Sequence, residues 1–392
     1  MREAACVSPG LRAIRSAHAA AKASAERERP LARPTVALQA GGGVQGPAPA
    51  AQQPTPFLPG RTWYLALSAE QTLYRAGSAD AAARYRSLGR VADAEAAMAQ
   101  SDALHELRLA YIAAWLADQM VSIADAAVAT SREHLALVKE MADVGQMPRR
   151  DIDATDAEVA EAEQGLIRVR NGQRLARANL GRLMGRGQAV ADPLADPGLQ
   201  AVARSQCRPR PELALLEAQS ASARSGRRLA ATQRAPEVRA VATASAQPDT
   251  PLIAPTYAAL GLRLTWKLLD GGASRIDQAE ARARAEQLAS LLEEARRSLS
   301  LQWEKAEADA EDAAAAIRTA ERQVASALSA LEVTLARYRE RMAPEMELSG
   351  ARLAVARAQG NVAQARAALQ AAYADQRHAA ALDTDVSQEP GS

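Results

Sequence analysis

The sequence is poor in aromatic residues, which make up 3% of its 392 residues and include one phenylalanine, Phe57. Hydrophobic residues still account for 48% of the chain, and alanine is the commonest of them. A close-packed globular core of this size needs larger side chains. Alanine instead suits helices whose backbones approach each other along their whole length. The composition therefore predicts long helices and argues against a compact globular domain.

Cysteine and histidine are also scarce. Cys6 and Cys207 are too few and too far apart for a disulfide framework or a zinc site. The histidines are scattered and share no metal-ligand spacing; they are His18, His105, His134 and His378. The chain has no phosphate-binding glycine loop, no nucleophile motif and no HExxH motif. We therefore predict that the protein is not an enzyme and that it uses no cofactor and no metal.

Neither an excess of one charge nor a long apolar run is present. The 48 basic residues nearly balance the 46 acidic ones, and a net charge of +2 argues against nucleic acid as a partner. No run of 18 apolar residues occurs, which predicts that no helix crosses a bilayer. The N-terminal sequence MREAACVSPG lacks an apolar stretch and is not a secretory signal.

Hydrophobic periodicity and Pro/Gly breaks divide the chain into helical, strand and irregular segments. The predicted segments are an N-terminal helix (1–33), a first strand pair (34–77), a first long helical hairpin (78–184), an irregular segment (185–209), an entry helix (210–235), a second strand pair (236–272), a second long helical hairpin (273–383) and a disordered tail (384–392). Each long helix is predicted to extend about 100 Å at 1.5 Å per residue.

The order of segments occurs twice, with a period of about 195 residues, which is too long for a solenoid repeat. Leu65, Leu67 and Gly77 in the first half match Leu260, Leu262 and Gly272 in the second. At the turn of each hairpin, Pro148 matches Pro344. The chain is therefore predicted to be an internal duplication of a strand pair and a helix pair.

The second long helix carries an apolar stripe with alternating spacings of three and four residues, typical of a coiled coil. The stripe comprises Ala281, Ala285, Leu288, Leu292, Ala295, Leu299, Trp303, Ala306, Ala310, Ala313, Ile317, Ala320, Val324, Ala327 and Leu331. Further alanines lie off the stripe, for example Ala279, Ala283 and Ala308. So broad an apolar arc fits a helix with neighbours on two sides, as in a closed ring. An Ala-rich antiparallel coiled coil in a soluble scaffold is the alternative.

The strand pairs alternate apolar and polar residues over about ten positions, which is the signature of a transmembrane β-strand. Half-buried strands of a soluble sheet would show the same alternation. Two strands per half make too small a sheet to be stable alone, and the chain's four cannot close a membrane barrel. Three copies would supply about twelve strands, which is enough to close one.

The order of motifs resembles the TolC-type outer-membrane efflux channel family from about residue 2 to residue 382. SPGLRAIRSAHAAAKA is similar to the family's Asn-Pro-x-Leu helix start, with Ser8 in place of Asn, and RPELALLEAQ is its second-half counterpart. LARPTVALQAG resembles the segment that leads into the first strand. LGLRLTWKLLDGG resembles the strand that ends in an Asp-Gly-Gly turn, at Asp270, Gly271 and Gly272.

The two hairpin turns resemble the family's tip segments. VGQMPRRDIDATDAEVAEAEQGLIRVRNGQRLARANLGRLMG is similar to the first tip and its return helix, and RERMAPEMELSGARLAVARAQ to the second. The second tip departs from the family pattern, because Arg341 stands where a glycine is usual. LYRAG likewise has Arg75-Ala76 in place of Asp-Gly.

The resemblance implies a mainly α fold with short β-strands. Long antiparallel coiled-coil helices would form an α-barrel, and four membrane strands per protomer would complete a trimeric 12-stranded β-barrel in the outer membrane of a Gram-negative bacterium. The helical barrel would extend into the periplasm, and the segment 185–209 and the tail would form a belt around it. Family members begin with a signal peptide and a short first helix. We expect both to be missing here through a late start codon or a truncated sequence.

The implied function is a passive exit duct for drugs or other substrates in a tripartite efflux pump or a type I secretion system. Its implied partners are two further copies of the chain, outer-membrane lipid, a periplasmic adaptor (membrane fusion protein) and an inner-membrane transporter. The adaptor would meet the tips, at Val144, Gly145, Met147, Pro148, Arg341, Met342 and Pro344. Ending a helix is an alternative role for the Pro and Gly residues among them.

Acidic residues follow both tips: Asp151, Asp153, Asp156, Glu345 and Glu347. Repeated threefold, they would form a ring that selects cations and gates the closed end, with Arg149, Arg150 and Arg341 bridging to them. The alternative is that carboxylates at a helix start only offset the helix dipole. Two other classes stay open for the whole protein, a periplasmic adaptor and a soluble coiled-coil scaffold. An adaptor would show one hairpin between split β halves.

Overall fold

A computed structural model of the chain describes residues 8–27, 34–44, 61–144, 148–247 and 255–382. The predicted disordered tail and the first residues of the predicted N-terminal helix lie outside these ranges. The described residues belong to two compact units. The helical unit comprises Met1–Ala19, Asp93–Ala214 and Glu293–Ser392, and the sheet unit comprises Ala20–Ala92 and Leu215–Leu292.

The helices follow the predicted order. They are α1 (Pro9–Arg27), α2 (Ser78–Asp143), α3 (Arg149–Leu183), α4 (Pro211–Ala231), α5 (Ala273–Arg339) and α6 (Glu345–Ala379), with a short 3-10 helix at Arg204–Gln206. The two longest, α2 and α5, contain 66 and 67 residues and contribute to both units. The prediction of two long helices, each followed by a shorter return helix, is confirmed.

The strands are β1 (Thr35–Val44), β2 (Arg61–Arg75), β3 (Glu237–Ala246) and β4 (Thr256–Thr265). They form one antiparallel sheet in the order β1-β2-β3-β4. β2 pairs with β3, with Leu67 opposite Ala244, and this pairing joins the strand pairs of the two halves into one sheet. Within the described residues, β1 and β4 each pair on one side only, so the sheet has two open edges.

The apolar stripe of α5 is confirmed, since each of its residues is buried or half-buried. The first long helix, α2, carries a similar apolar stripe, on which Leu104, Ala114 and Val138 are fully buried. The off-stripe residues Ala279 and Ala308 of α5 are instead exposed on the protomer. The helices therefore bury one apolar face within the chain and leave a second, small-residue face uncovered.

The irregular segment between α3 and α4 is attached to the helical unit by buried polar groups. Arg177 of α3 donates to both carboxylate oxygens of Asp118 on α2, at 2.9 and 2.8 Å, and to the carbonyl of Val190 at 2.9 Å. The hydrogen bond with Asp118 raises the pKa of Arg177 despite its partial burial. On α6, the side-chain oxygen of Gln370 accepts from the backbone N–H of Leu199 at 2.8 Å. Side chains of α3 and α6 therefore hold the segment in place.

Among the described helices, one, α2, is long and apolar enough to cross a membrane by length and composition alone. Its most apolar 18 residues have a mean hydropathy of 1.3, and 22% of them are buried in the protein. The absence of unbroken apolar runs predicted that no helix crosses a bilayer. A mean hydropathy over 18 residues gives a different result, because it allows a few polar residues within the segment. A core helix of a soluble protein meets the same criterion.

Replacing Leu180 on α3 tests the core of the helical unit. Leu180 is 1% exposed and packs with Leu107, Ala114 and Val190, so Leu180→Ala should lower the free energy of unfolding by about 2–5 kcal/mol. Leu175, on the same helix, is 66% exposed, and Leu175→Ala should cost much less. Denaturant titration of the purified protein in detergent measures both. Equal losses at the two positions would contradict the described packing.

Candidate functional site

The sheet separates apolar from polar side chains on its two faces. Cross-strand partners share a face, and the register pairs Leu38 with Leu67 and Ala242 with Leu260. The apolar face carries large exposed side chains, and on β4 Leu260 and Leu262 are 84% and 73% exposed. A sheet whose apolar face is exposed to this degree needs a nonaqueous environment or a partner.

The opposite face carries a network of charges from three strands. Glu70 of β2 accepts from Arg239 of β3 at 3.4 Å and from Arg263 of β4 at 3.3 Å. Arg239 also donates to Glu237 at 3.0 Å. Alternation of lipid-facing and lumen-facing residues along each strand is the pattern of a membrane β-barrel. The predicted alternation of the strands is therefore confirmed.

The turn from β4 into α5 has the geometry expected of Asp-Gly-Gly. Gly271 and Gly272 have φ values of 63° and 92°, which glycine adopts without steric cost. The Asp270 carboxylate accepts from the backbone N–H of Gly272 and of Ser274, both at 3.1 Å. Hydrogen bonds from Ser274 and Gly272 lower the pKa of Asp270. Asp270 therefore caps the start of α5.

The first tip lies between α2 and α3. Val144 follows the end of α2 and is exposed, while Gly145 and Met147 lie outside the described residues. Pro148 is the N-cap of α3, and its carbonyl accepts from the backbone N–H of Asp151 at 3.0 Å. Pro148 thus has a definite structural role in starting the return helix.

The second tip has an arginine, Arg341, at a position where the family usually has glycine. Arg341 has a φ of 62°, in the left-handed region that favours glycine. The backbone N–H of Met342 bonds to the Arg337 carbonyl at 2.7 Å, and that of Arg341 to the Tyr338 carbonyl at 2.9 Å. This pair of bonds is the Schellman ending of a helix. The turn therefore keeps the geometry of a glycine turn, with Met342 exposed at its end and Pro344 as the N-cap of α6.

The acidic residues after the tips have different surroundings. Asp153 and Asp156 are exposed on α3, and Asp151 is half-buried, with Arg150 3.4 Å away. Glu347 accepts a hydrogen bond from Arg337 of α5 at 2.6 Å, so Arg337 is the bridging arginine at Glu347. The carboxylates of Asp153 and Asp156 are accessible to solvent, which a charge that lines a pore requires.

Glu345 instead lies in a buried network that joins three helices. His134 of α2 lies 2.7 Å from its carboxylate oxygen, and its side chain is 2% exposed. Tyr338 of α5 also donates to Glu345, and its ring packs edge-on against His134. Burial alone would raise the pKa of Glu345, but the hydrogen bonds from His134 and Tyr338 outweigh it and lower that pKa. The network fastens α6 to α2 and α5 just behind the second tip.

Sequence analysis missed His134 as a site residue. It lies in phase with Ser131 and Val138 on the apolar stripe of α2. An imidazole at a buried position of the stripe needs a hydrogen-bonding partner. The position of His134 in the sequence therefore indicated that it has such a partner. The partner could not be found from spacing, because Glu345 is 211 residues away in the chain.

The described geometry comprises an amphipathic sheet with open edges and two paired long helices. The model of the family described as "outer membrane efflux protein" matches residues 1–186 and 206–380. The chain belongs to the outer membrane efflux protein family. No curated protein sequence matches this efflux protein.

Solved structures share the fold of this efflux protein at low sequence identity. The outer membrane protein VceC of Vibrio cholerae is 17% identical with a TM-score of 0.82, covering 97% of this chain and 94% of VceC. The CmeC outer membrane channel of Campylobacter jejuni is 12% identical with a TM-score of 0.79, covering 97% and 84%. The open-state MtrE outer membrane channel of Neisseria gonorrhoeae is 17% identical with a TM-score of 0.77, covering 97% and 87%.

The efflux protein is therefore an outer-membrane channel of a Gram-negative efflux pump, as the motifs predict. Its family and fold are those of channels and not of enzymes. The family favours the channel over the two alternatives, a periplasmic adaptor and a soluble scaffold.

The network at Glu345 predicts a pH dependence of stability. The folded state lowers the pKa of Glu345 below its ordinary value of 4.5, so the stabilising effect is fully present above pH 4.5. It is lost as the pH falls through the lowered pKa. Glu345→Gln should cost about 1–3 kcal/mol at neutral pH and should flatten the acid dependence of unfolding.

Denaturant titrations at several pH values between about 3 and 7 measure this effect. Glu347→Gln is the matched control, because Glu347 lies on the same helix and is more exposed. An unchanged acid slope in Glu345→Gln would show that the network does not stabilise the fold.

Proposed function

We propose that three copies of the chain form a homotrimeric exit duct. The open edges of the sheet carry this proposal, since β1 and β4 each lack a partner on one side within the described chain. The strands alternate in direction along the sheet, so β4 of one copy is antiparallel to β1 of the next. Three sheets of four strands would close a barrel of about twelve strands with no edge left in lipid.

The helices support the same assembly. Ala279, Ala283 and Ala308 are exposed off the buried stripe of α5, and they would let helices of neighbouring copies approach closely. Ringed around one axis, the long helices would enclose a tunnel that continues the barrel into the periplasm. The irregular segment 185–209, which polar side chains attach to the helical unit, would lie on the outside of that tunnel as a belt.

The tips are proposed to contact a periplasmic adaptor, which would connect the duct to an inner-membrane transporter. Val144 and Met342 are exposed apolar residues at the ends of α2 and α5. Exposed apolar side chains such as these would fit the helical hairpin of another protein. Gly145 and Met147, proposed for the same contact, lie outside the described residues. The inner-membrane partner would supply both energy and substrate choice in a tripartite pump or a type I secretion system.

The exposed carboxylates behind the first tip are proposed to select ions and restrict the periplasmic entrance. Asp153 and Asp156 are both exposed, and three copies would place about six such charges around one axis. Asp151 and Glu347 would add to the ring, and Glu345 would support it by holding α6 in place. No catalytic role is proposed for any residue, and transport would be passive.

Bilayer conductance tests this duct and its acidic ring. The purified protein should form cation-preferring channels, and a double variant with Asp153→Asn and Asp156→Asn should lower the K⁺/Cl⁻ permeability ratio and open more often. Glu161→Gln is the control, because Glu161 is an exposed carboxylate on the same helix, about 140° around its axis from Asp156. An unchanged permeability ratio in the double variant would contradict the proposed acidic ring. If the unmodified protein formed no channels, the proposed exit duct would be wrong.

A further inference from the structure

A cluster of titratable side chains lies in the helical unit, apart from the tips and the sheet. Asp102 of α2, Glu212 at the start of α4 and His378 of α6 each offer one ligand atom, and these atoms lie within 4.8 Å of one another. The chain brings them together from three separate helices. Neither the channel function nor the tip contacts explain why two carboxylates and an imidazole converge here.

The distance between two of these groups fits a metal ion better than a hydrogen bond. The Nε2 atom of His378 lies 3.6 Å from a carboxylate oxygen of Asp102, which is too long for a hydrogen bond. Two ligands of a tetrahedral Zn²⁺ ion, each about 2.1 Å from the metal, are separated by about 3.4 Å.

Neighbouring groups orient the proposed ligands. The hydroxyl of Ser101 lies 3.4 Å from Nδ1 of His378, on the opposite side of the ring from Nε2. Arg210, whose side chain is 8% exposed, donates to both oxygens of Glu212. A ligating carboxylate or imidazole is commonly held by such a second hydrogen bond, which fixes its direction and leaves a lone pair for the metal.

A second histidine supports the ring of His378. The imidazoles of His105 and His378 stack with centroids 4.4 Å apart and planes 21° apart. His105 in turn lies 3.2 Å from Asp375, one turn before His378 on α6. The stacking contact therefore holds the plane of the His378 ring.

The charge of the cluster suits a divalent cation. The carboxylates of Asp102, Glu212 and Asp375 and the guanidinium of Arg210 together carry a formal charge of −2.

We propose that His378, Asp102 and Glu212 form a binding site for a divalent transition-metal ion of the Zn²⁺ type. One nitrogen and two oxygen ligands leave a fourth tetrahedral position for water. The ion would fasten α2, the start of α4 and α6 to one another. Its binding does not depend on the proposed trimer or on transport, so failure of one proposal leaves the other standing.

Titration calorimetry with ZnCl₂ tests the site on the full-length protein in detergent after treatment with a chelator. We expect one Zn²⁺ per chain and an increase in thermal stability on binding. His378→Gln and Asp102→Asn should each weaken binding by about tenfold or more. With Co²⁺ as the probe, both variants should lose the intense visible absorption of a tetrahedral site.

The matched control is His18→Gln. His18 pairs with Asp93 at 2.7 Å, so it has an adjacent carboxylate, but it belongs to no group of three ligands among the described residues. Zinc binding should be unchanged in this variant. The proposal is wrong if the unmodified protein binds no Zn²⁺, or if binding persists undiminished in both His378→Gln and Asp102→Asn. Asp102 is exposed, so Asp102→Asn stays informative even if His378→Gln fails to fold.

Discussion

Backbone groups that face hydrocarbon must find hydrogen-bond partners within the protein, because lipid offers none. This constraint applies to the sheet of the efflux protein, which has an apolar exposed face and, within the described residues, ends in two strands that pair on one side only. One chain would therefore carry a third of the proposed barrel. Closure by further copies would remove the open edges, and the even number of strands would give each new pair the antiparallel direction that the rest of the sheet has.

The helices show a related division of surfaces. The stripe from Ala281 to Leu331 is covered within the chain, while Ala279 and Ala308 remain exposed. Large side chains at these outer positions would hold neighbouring helices apart. The proposed ring of closely spaced helices would account for the scarcity of aromatic residues, since it would have little room for them. The same preference for small side chains would be costly in a compact globular core.

Much of this fold is predictable because its signals are local. Strict alternation marks the strands, three-and-four spacing marks the helices, and Asp270 with its two glycines marks a turn. Arg341 departs from the local rule, yet backbone hydrogen bonds hold it in the conformation of a glycine. The histidines were not predictable as sites. His134 meets a residue 211 positions away and His378 meets Ser101 across 277, so only the assembled hairpins bring these groups together.

Intersubunit pairing of β1 with β4 is the central claim, and disulfide trapping measures it most directly. In a background with Cys6 and Cys207 replaced by serine, cysteines at Leu38 on β1 and at Ala258, Leu260 or Leu262 on β4 scan the register. Adjacent strands place such side chains about 4.5–5.5 Å apart, within reach of a disulfide. The account predicts oxidised dimers and trimers on denaturing gels for at least one pair. Cross-links confined to single chains, or none at any pair, would contradict it.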